Sequence, residues 1–291
     1  MQAISVKDMS LPIRKNSRKK VLLSQILLHL VMAALLFCMI YPLIMAVWCA
    51  FKTTQEYEIS KFFPTLPLKI VNLSTAFTKI GGYVYNTVAV AVFGVTGSLF
   101  IAALASYAFA KMEFPGKSIF FTMVLCLMMI PGVLTLVPQV LLYKQLRLNN
   151  TLFAVLLPQL TMAPVGAVFL LTIFFRALPK DLFNAAEIDG AGGFQVFLQM
   201  AIPLCMAILI TLAIQQINGL WNDYIWPMTI ITDYKKLTVS AGLIVEFTSL
   251  YSQNMPVTYA GYLLASMPLL LIFIFGNKFY IQGLVTSSIK M

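Results

Sequence analysis

Charged residues are scarce in this chain: 10% of its 291 positions are Asp, Glu, Lys or Arg, against 60% hydrophobic. One soluble core cannot hide so much apolar side chain, so a soluble globular domain is excluded. Histidine occurs once, as His29. Without a second His or a Cys cluster, no constellation for nucleophilic or metal chemistry can be assembled, and no catalytic or metal-ligating residue is assigned. His29 is expected to pack or to face an interface. The four cysteines, Cys38, Cys49, Cys126 and Cys205, are scattered through apolar stretches. They are expected to behave as small hydrophobes, with no disulfide and no metal. Two glycine-containing segments are decoys. Gly116-Lys117-Ser118 has Lys111 where a phosphate-binding loop needs its first Gly, and Gly190-Ala191-Gly192 is followed by Gln195 where a dinucleotide fingerprint needs its third.

What the chain has instead is a set of long stretches free of charge. They are Val21–Phe51, Ile80–Ala110, Ser118–Tyr143, Leu148–Phe175, Ala191–Asn222 and Phe247–Asn277. A helix needs about 20 apolar residues to cross the hydrocarbon layer, so each stretch can cross once. Strands of a membrane barrel would be about ten residues long with alternating polarity, which these runs lack. The expectation is an all-α membrane protein with six transmembrane helices.

A net charge of +10 could suggest nucleic acid, but its placement favours a membrane. With the N-terminus inside, the inner segments hold Lys7, Arg14, Lys15, Arg18, Lys19, Lys20, Lys111, Lys117, Arg176, Lys180, Lys278 and Lys290. Six of these precede the first span, where the positive-inside bias acts most strongly, so both termini are assigned to the cytoplasm. The partner is then a lipid bilayer and not a nucleic acid. The first stretch is longer than a signal-peptide core and ends without a small-residue cleavage pattern, so it should remain as an anchor. Residues 1–20 are expected to be a basic cytoplasmic tail and residues 21–291 the membrane domain. Residues 52–79 are expected to be an external loop, and Lys111–Lys117 a tight inner turn.

Pro42, Pro131, Pro138, Pro158, Pro164, Pro203 and Pro268 each remove a backbone donor inside a span and invite a kink. Trp221, Asn222, Asp223, Tyr224 and Trp226, near the outer end of the fifth span, suit either sugar stacking or an interfacial belt and packing role. Gln215, Gln216, Asn218 and Asn222 are the polar groups of that span that could line a pathway, or could bond between helices.

The most informative polar segment joins the fourth and fifth spans and runs from Phe175 to Pro203. Pro179 suits the first turn of a helix, Asp181 favours its positive end, and Gly190 can end it by adopting positive φ. A short helix of roughly ten residues is expected. Small Ala185 and Ala186 would let it sit close against another surface.

At Asn184-Ala185-Ala186, Gly190 and Ile202-Pro203 the chain resembles the permease subunits of bacterial ABC importers, whose cytoplasmic loop reads Glu-Ala-Ala, three residues, Gly, then nine residues ending near Leu-Pro. Further likeness to the MalG-like carbohydrate-uptake branch comes from Ser106–Ala110 before Phe114-Pro115-Gly116, from Trp221–Pro227, and from Phe279–Leu284. The resemblance covers roughly residues 20–291. It implies a type I importer permease fold and half of a translocation pathway for a sugar or oligosaccharide, with glycerol phosphate or a polyol as the alternative solute. It also implies that residues 178–195, through Asn184, Ala185, Ala186, Glu187, Asp189 and Gly190, couple to a cytoplasmic ATPase. Asn184 stands where the family has its first Glu, and Glu187 one turn on is a possible substitute.

The implied partners are a second homologous permease, two copies of the ATPase and an extracytoplasmic solute-binding protein. ATP and magnesium would be held by the ATPase, with no cofactor in this chain. A competing class is an ion-coupled secondary carrier. The six stretches contain no Asp or Glu, which argues against a proton relay.

Overall fold

The computed structural model describes residues 15–248 and 254–288, with side chains described over 24–248 and 254–278. Residues 1–14, and with them most of the expected basic tail, lie outside the described residues, as does Met291. Among the described residues the chain is helical, with no strands.

Helix α1 (Lys15–Ala50) begins inside the basic segment and runs to the first loop. Short α2 (Thr54–Ile59) opens with a reciprocal cap, in which the Thr53 side chain accepts from the Glu56 amide and Glu56 accepts from the Thr53 amide. Helix α3 (Val71–Lys111) starts well before the charge-free stretch it contains, so the loop between the first two spans is shorter than expected. The end of α1 is locked to the start of α3 by two buried polar residues. Lys52, only 1% exposed, donates to the carbonyls of Ser60 and Phe63. Asn72 donates to the carbonyls of Ala50 (2.9 Å) and Lys52 (2.7 Å).

The turn Lys111–Lys117 is tight as expected, with Gly116 at φ 78° capping α4 (Lys117–Met128). Helix α5 (Gly132–Gln145) follows at 96° to α4. Then come α6 (Leu152–Thr161), α7 (Ala163–Ala177), α8 (Lys180–Ile188), α9 (Gly193–Val196), a π turn over Phe197–Ala201, α10 (Ile202–Leu204) and α11 (Met206–Asn222). After α12 (Ile225–Ile230), a 3₁₀ turn at Tyr234–Lys236 and α13 (Val239–Phe247), the chain closes with α14 (Met255–Ser288).

Four helical stretches are long and apolar enough to cross a membrane: Ser24–Ala50, Val71–Lys111, Leu152–Ala177, which includes the turn at Met162, and Met255–Lys278. The other two expected spans are bent pairs. Lys117–Met128 meets Gly132–Gln145 at 96°, and Gly193–Leu204 meets Met206–Asn222 at 76°. Both breaks have a proline cause. Pro131 has no amide to donate and bars Ile130 from the helical region, so α4 stops there. Near Pro203 the missing donor is accommodated by the wide π turn, in which the Ile202 amide reaches the Phe197 carbonyl. Elsewhere the helices continue through Pro42, Pro138, Pro158 and Pro268, and Pro164 sits in the first turn of α7, just after the turn at Met162 that divides α6 from α7.

Helix α3 is the hub, packing on α6, α7, α11, α13 and α14, whereas α1 runs along α14. Its buried positions include Ala76, Ala91, Gly94, Ser98, Ala102, Ala103 and Ser106. Small residues let membrane helices approach closely, where dispersion contacts replace the absent hydrophobic drive. Two apolar cores result. One gathers Ile80, Tyr83, Trp221, Trp226, Val239 and Ala260. The other gathers Ala103, Phe109, Leu171, Phe175, Phe197 and Leu212 at the end of the bundle that carries α8.

Candidate functional site

Helix α7 ends because Leu178 precedes Pro179, and both are extended, with ψ of 136° and 133°. The chain restarts as α8, whose nine residues run Lys180–Ile188. Its end is a double-bonded stop. The Ala191 amide donates to the Ala186 carbonyl (2.9 Å) and the Gly190 amide to the Glu187 carbonyl (3.0 Å), with Gly190 at φ 79°. That is the Schellman arrangement, and it requires the positive φ that glycine adopts freely.

One side of α8 is fastened to the bundle. Phe183 lies 6.4 Å from the Tyr107 ring and 4.2 Å beneath the Lys111 ammonium, which also donates to the Leu178 carbonyl (2.9 Å). Tyr107 in turn contacts Phe175 and Phe197 of the core. The opposite side is open. Asp181, Leu182, Ala185, Ile188 and Asp189 are exposed, and Ile188 is 86% exposed. Ala186 is half-buried. Of the two alanines, then, Ala185 is the one presented outward. Asn184 and Glu187 share a third side, where both line a cavity of about 730 Å³ between α8 and the helix ends. Ile188 went unnoticed at the level of sequence. Its signal was the spacing Asp181, Ala185, Ile188, which places one apolar branched residue on an otherwise small, polar helix face.

The family of binding-protein-dependent transport system inner membrane components matches residues 94–284. The chain belongs to this family. It is the permease subunit of an ABC importer, a multi-pass inner-membrane protein. It is 31% identical over 91% of its length to an arabinooligosaccharides transport system permease of Halalkalibacterium halodurans, covering 96% of that protein. It is 30% identical over 72% of its length to an sn-glycerol-3-phosphate transport system permease of Pectobacterium atrosepticum, covering 75% of that protein. The fold is shared with a bacterial ABC transporter involved in the import of the acidic polysaccharide alginate. That likeness has a TM-score of 0.79 at 18% identity, over 96% of this chain and 100% of the other.

The remaining sequence-selected residues of the permease lie far along the bundle from α8. On α11, Gln215, Asn218 and Asn222 are exposed and share one face, and Asn222 bonds back to Asn218 (2.8 and 3.1 Å). Gln216 is turned off that face, half-buried, with an Oε1 that finds no donor. The aromatic cluster is a packing device. Trp221 Nε1 donates to the Ala265 carbonyl (3.0 Å) and Trp226 Nε1 to the Ala154 carbonyl (2.9 Å), both buried. Tyr143 meets Trp226 edge to face at 5.1 Å. Neither indole is free to stack on a solute. Asp223 accepts from the Trp226 amide (3.2 Å), and burial pushes its carboxyl above the usual range while backbone amides pull the other way. His29 is exposed on α1, with Nδ1 2.6 Å from the Gln25 carbonyl.

Proposed function

We propose that this permease forms half of the translocation pathway for a sugar or oligosaccharide, and that residues 178–195 transmit ATP-driven closure of a cytoplasmic ATPase to its spans. The observation that carries the coupling role is the construction of α8. It is a short helix fastened to the bundle by Phe183, stopped rigidly at Gly190, and presenting Ala185 and Ile188 outward. A rigid knob with a small, partly apolar exposed face suits insertion into a groove of another protein. Force on it would pass through Phe183 and Tyr107 into α3 and α7. Asn184 cannot form the charged contact that the family's Glu would make, and Glu187, the nearest carboxylate, faces the cavity beside α8 and not the open Ala185–Ile188 face.

The solute class rests on the oligosaccharide relative and on the polysaccharide transporter that shares the fold. The exposed stripe of Gln215, Asn218 and Asn222 supports a pathway role. Three amides facing hydrocarbon would be costly, so this face belongs against a partner permease or a water-filled cavity. Gln216 adds a buried acceptor behind it. In this reading both termini are cytoplasmic. Two permeases, two ATPase copies holding ATP and magnesium, and an extracytoplasmic solute-binding protein complete the assembly.

The test of the solute class is to purify the binding protein encoded beside this permease and to follow its melting with oligosaccharides, monosaccharides, polyols and glycerol phosphate. A ligand that binds only the folded state raises the melting temperature in proportion to its concentration over Kd. Stabilisation by an oligosaccharide is expected. Stabilisation by glycerol phosphate alone would replace the sugar reading.

A further inference from the structure

Lys111 ends α3, Lys117 begins α4, Arg176 ends α7 and Lys180 begins α8, and all four line the one cavity of about 730 Å³ beside α8. These are the very residues that supply the inner positive charge between the first and last spans. Two carboxylates face them, Glu113 and Glu187. Glu113 is taken by Lys117 at 3.0 Å. Among the described residues no carboxylate forms an ion pair with Lys111, Arg176 or Lys180. Lys111 rests on the Phe183 ring and the Leu178 carbonyl, and Arg176 lies 5.3 Å from the Phe121 ring centre. Such contacts orient cations without neutralising them.

Three unpaired cations converging from different helices are mutually repulsive, and a bound anion would relieve them. The cavity has the size of a small-ligand site, and Tyr107, Phe183 and Val196 give it an aromatic and apolar wall. A second feature begins one residue past Lys117. It is the exposed, largely apolar face of α4 formed by Ser118, Ile119, Thr122, Met123, Cys126 and Leu127. A basic cavity at the end of a membrane bundle, beside an exposed apolar face of the adjoining span, matches a molecule with a charged head and an apolar tail.

We propose that the cavity binds the phosphate of an anionic phospholipid, with Arg176 and Lys180 as its principal cations, Lys111 at its floor, and an acyl chain along α4. The lipid would sit against the side of α8 that carries Asn184 and Glu187. This placement rests on the reading that this end of the bundle is cytoplasmic.

The complex of this permease with its partners, purified in detergent, would be titrated with dioleoyl-phosphatidylglycerol, dioleoyl-phosphatidylcholine or inorganic phosphate. Retained lipid would be counted by native mass spectrometry, and melting followed in parallel. Phosphatidylglycerol is expected to remain bound and to raise the melting temperature where phosphatidylcholine does not. Arg176→Gln should weaken that binding at least tenfold, and Arg176→Lys, which keeps the charge, should largely restore it. Equal retention of both lipids, or unchanged binding in Arg176→Gln, would overturn the proposal. Full competition by inorganic phosphate at matched concentration would overturn the lipid source. Loss of the ATPase from Arg176→Gln with lipid binding intact would assign the cations to a protein contact and equally defeat it. Lipid retention needs neither ATP nor solute, so failed coupling would appear separately, as lost uptake with lipid still bound.

Discussion

At the scale of single residues, the end of the bundle that carries α13 depends on close contacts that leave no spare volume. Gly242 of α13 faces the Tyr83 ring so closely that an added Cβ would lie 2.4 Å from a ring carbon. The ring cannot readily retreat, because its hydroxyl donates to Glu246 (3.0 Å), which also lies 3.8 Å from the Lys79 ammonium. Gly242→Val should therefore destabilise the permease by about 1–3 kcal/mol, the usual cost of overpacking. The check is the melting temperature of the purified protein. An unchanged value would mean that α13 does not pack on α3 as described.

Asp223 makes a pH-dependent contribution. Burial raises its pKa, so the folded state holds the proton more tightly than the unfolded chain, whose value is about 3.9. Its contribution is then most favourable below that value and declines as pH rises through the raised folded value, leaving the cost of a buried charge at neutrality. Asp223→Asn keeps an oxygen for the Trp226 amide and should melt at neutral pH at or above the wild type, with a flatter acid limb. A lower neutral melting temperature would show that the charge itself is used. None of this residue-level detail was readable beforehand. The composition of Trp221–Trp226 favours a belt or packing role over sugar stacking, and the indole bonds to Ala265 and Ala154, distant in sequence, decide for packing.

At the scale of elements, α8 was largely legible because its signals are local. A proline at its start, an acidic first turn and a glycine at its stop act within a few residues, and the helix and its positive φ followed. Which way its faces point was not legible, since that depends on Phe183 meeting Tyr107 and Lys111 from α3. The consequence is a sharper choice of variants. Ala185→Arg and Ile188→Glu alter the open face without touching the fastened one, and Gly190→Val strains the stop, where positive φ costs a β-branched residue about 1–3 kcal/mol. All three should reach the membrane at normal abundance, yet lose ATPase retention on purification and solute-stimulated ATP hydrolysis. Wild-type hydrolysis and transport in all three would remove residues 178–195 from the docking role. The bends at Pro131 and beside Pro203 were the less legible elements. A proline within an apolar run can be absorbed, as at Pro138 and Pro158, or can break the helix, and neighbouring packing decides which.

At the scale of the whole molecule, hydropathy was enough to find six membrane stretches, because backbone in hydrocarbon must be satisfied within each segment. It could not show that two of them are bent pairs, nor that one lies almost unsupported. Along α1, Leu27, Leu28, Leu30, Met32, Phe37, Met39 and Leu43 are all more than half exposed, and on α11 an amide stripe is exposed as well. Lipid can cover the open apolar helix, but an open amide stripe needs a polar neighbour, and in the proposed assembly that neighbour is the partner permease or the pathway itself. Asn218→Leu should lower uptake several-fold while leaving membrane abundance and the ATPase complex intact, and equal loss of all three would make the stripe structural.

The central claim is that this chain moves solute only as part of an ATP-driven complex. It is tested most directly by reconstituting the chain into liposomes alone and with its partner permease, ATPase and binding protein, then measuring uptake of the solute that stabilises the binding protein. Accumulation is expected only with the full set and ATP, and should vanish with Gly190→Val. Accumulation by the chain alone, driven by a sodium or proton gradient, would contradict the account.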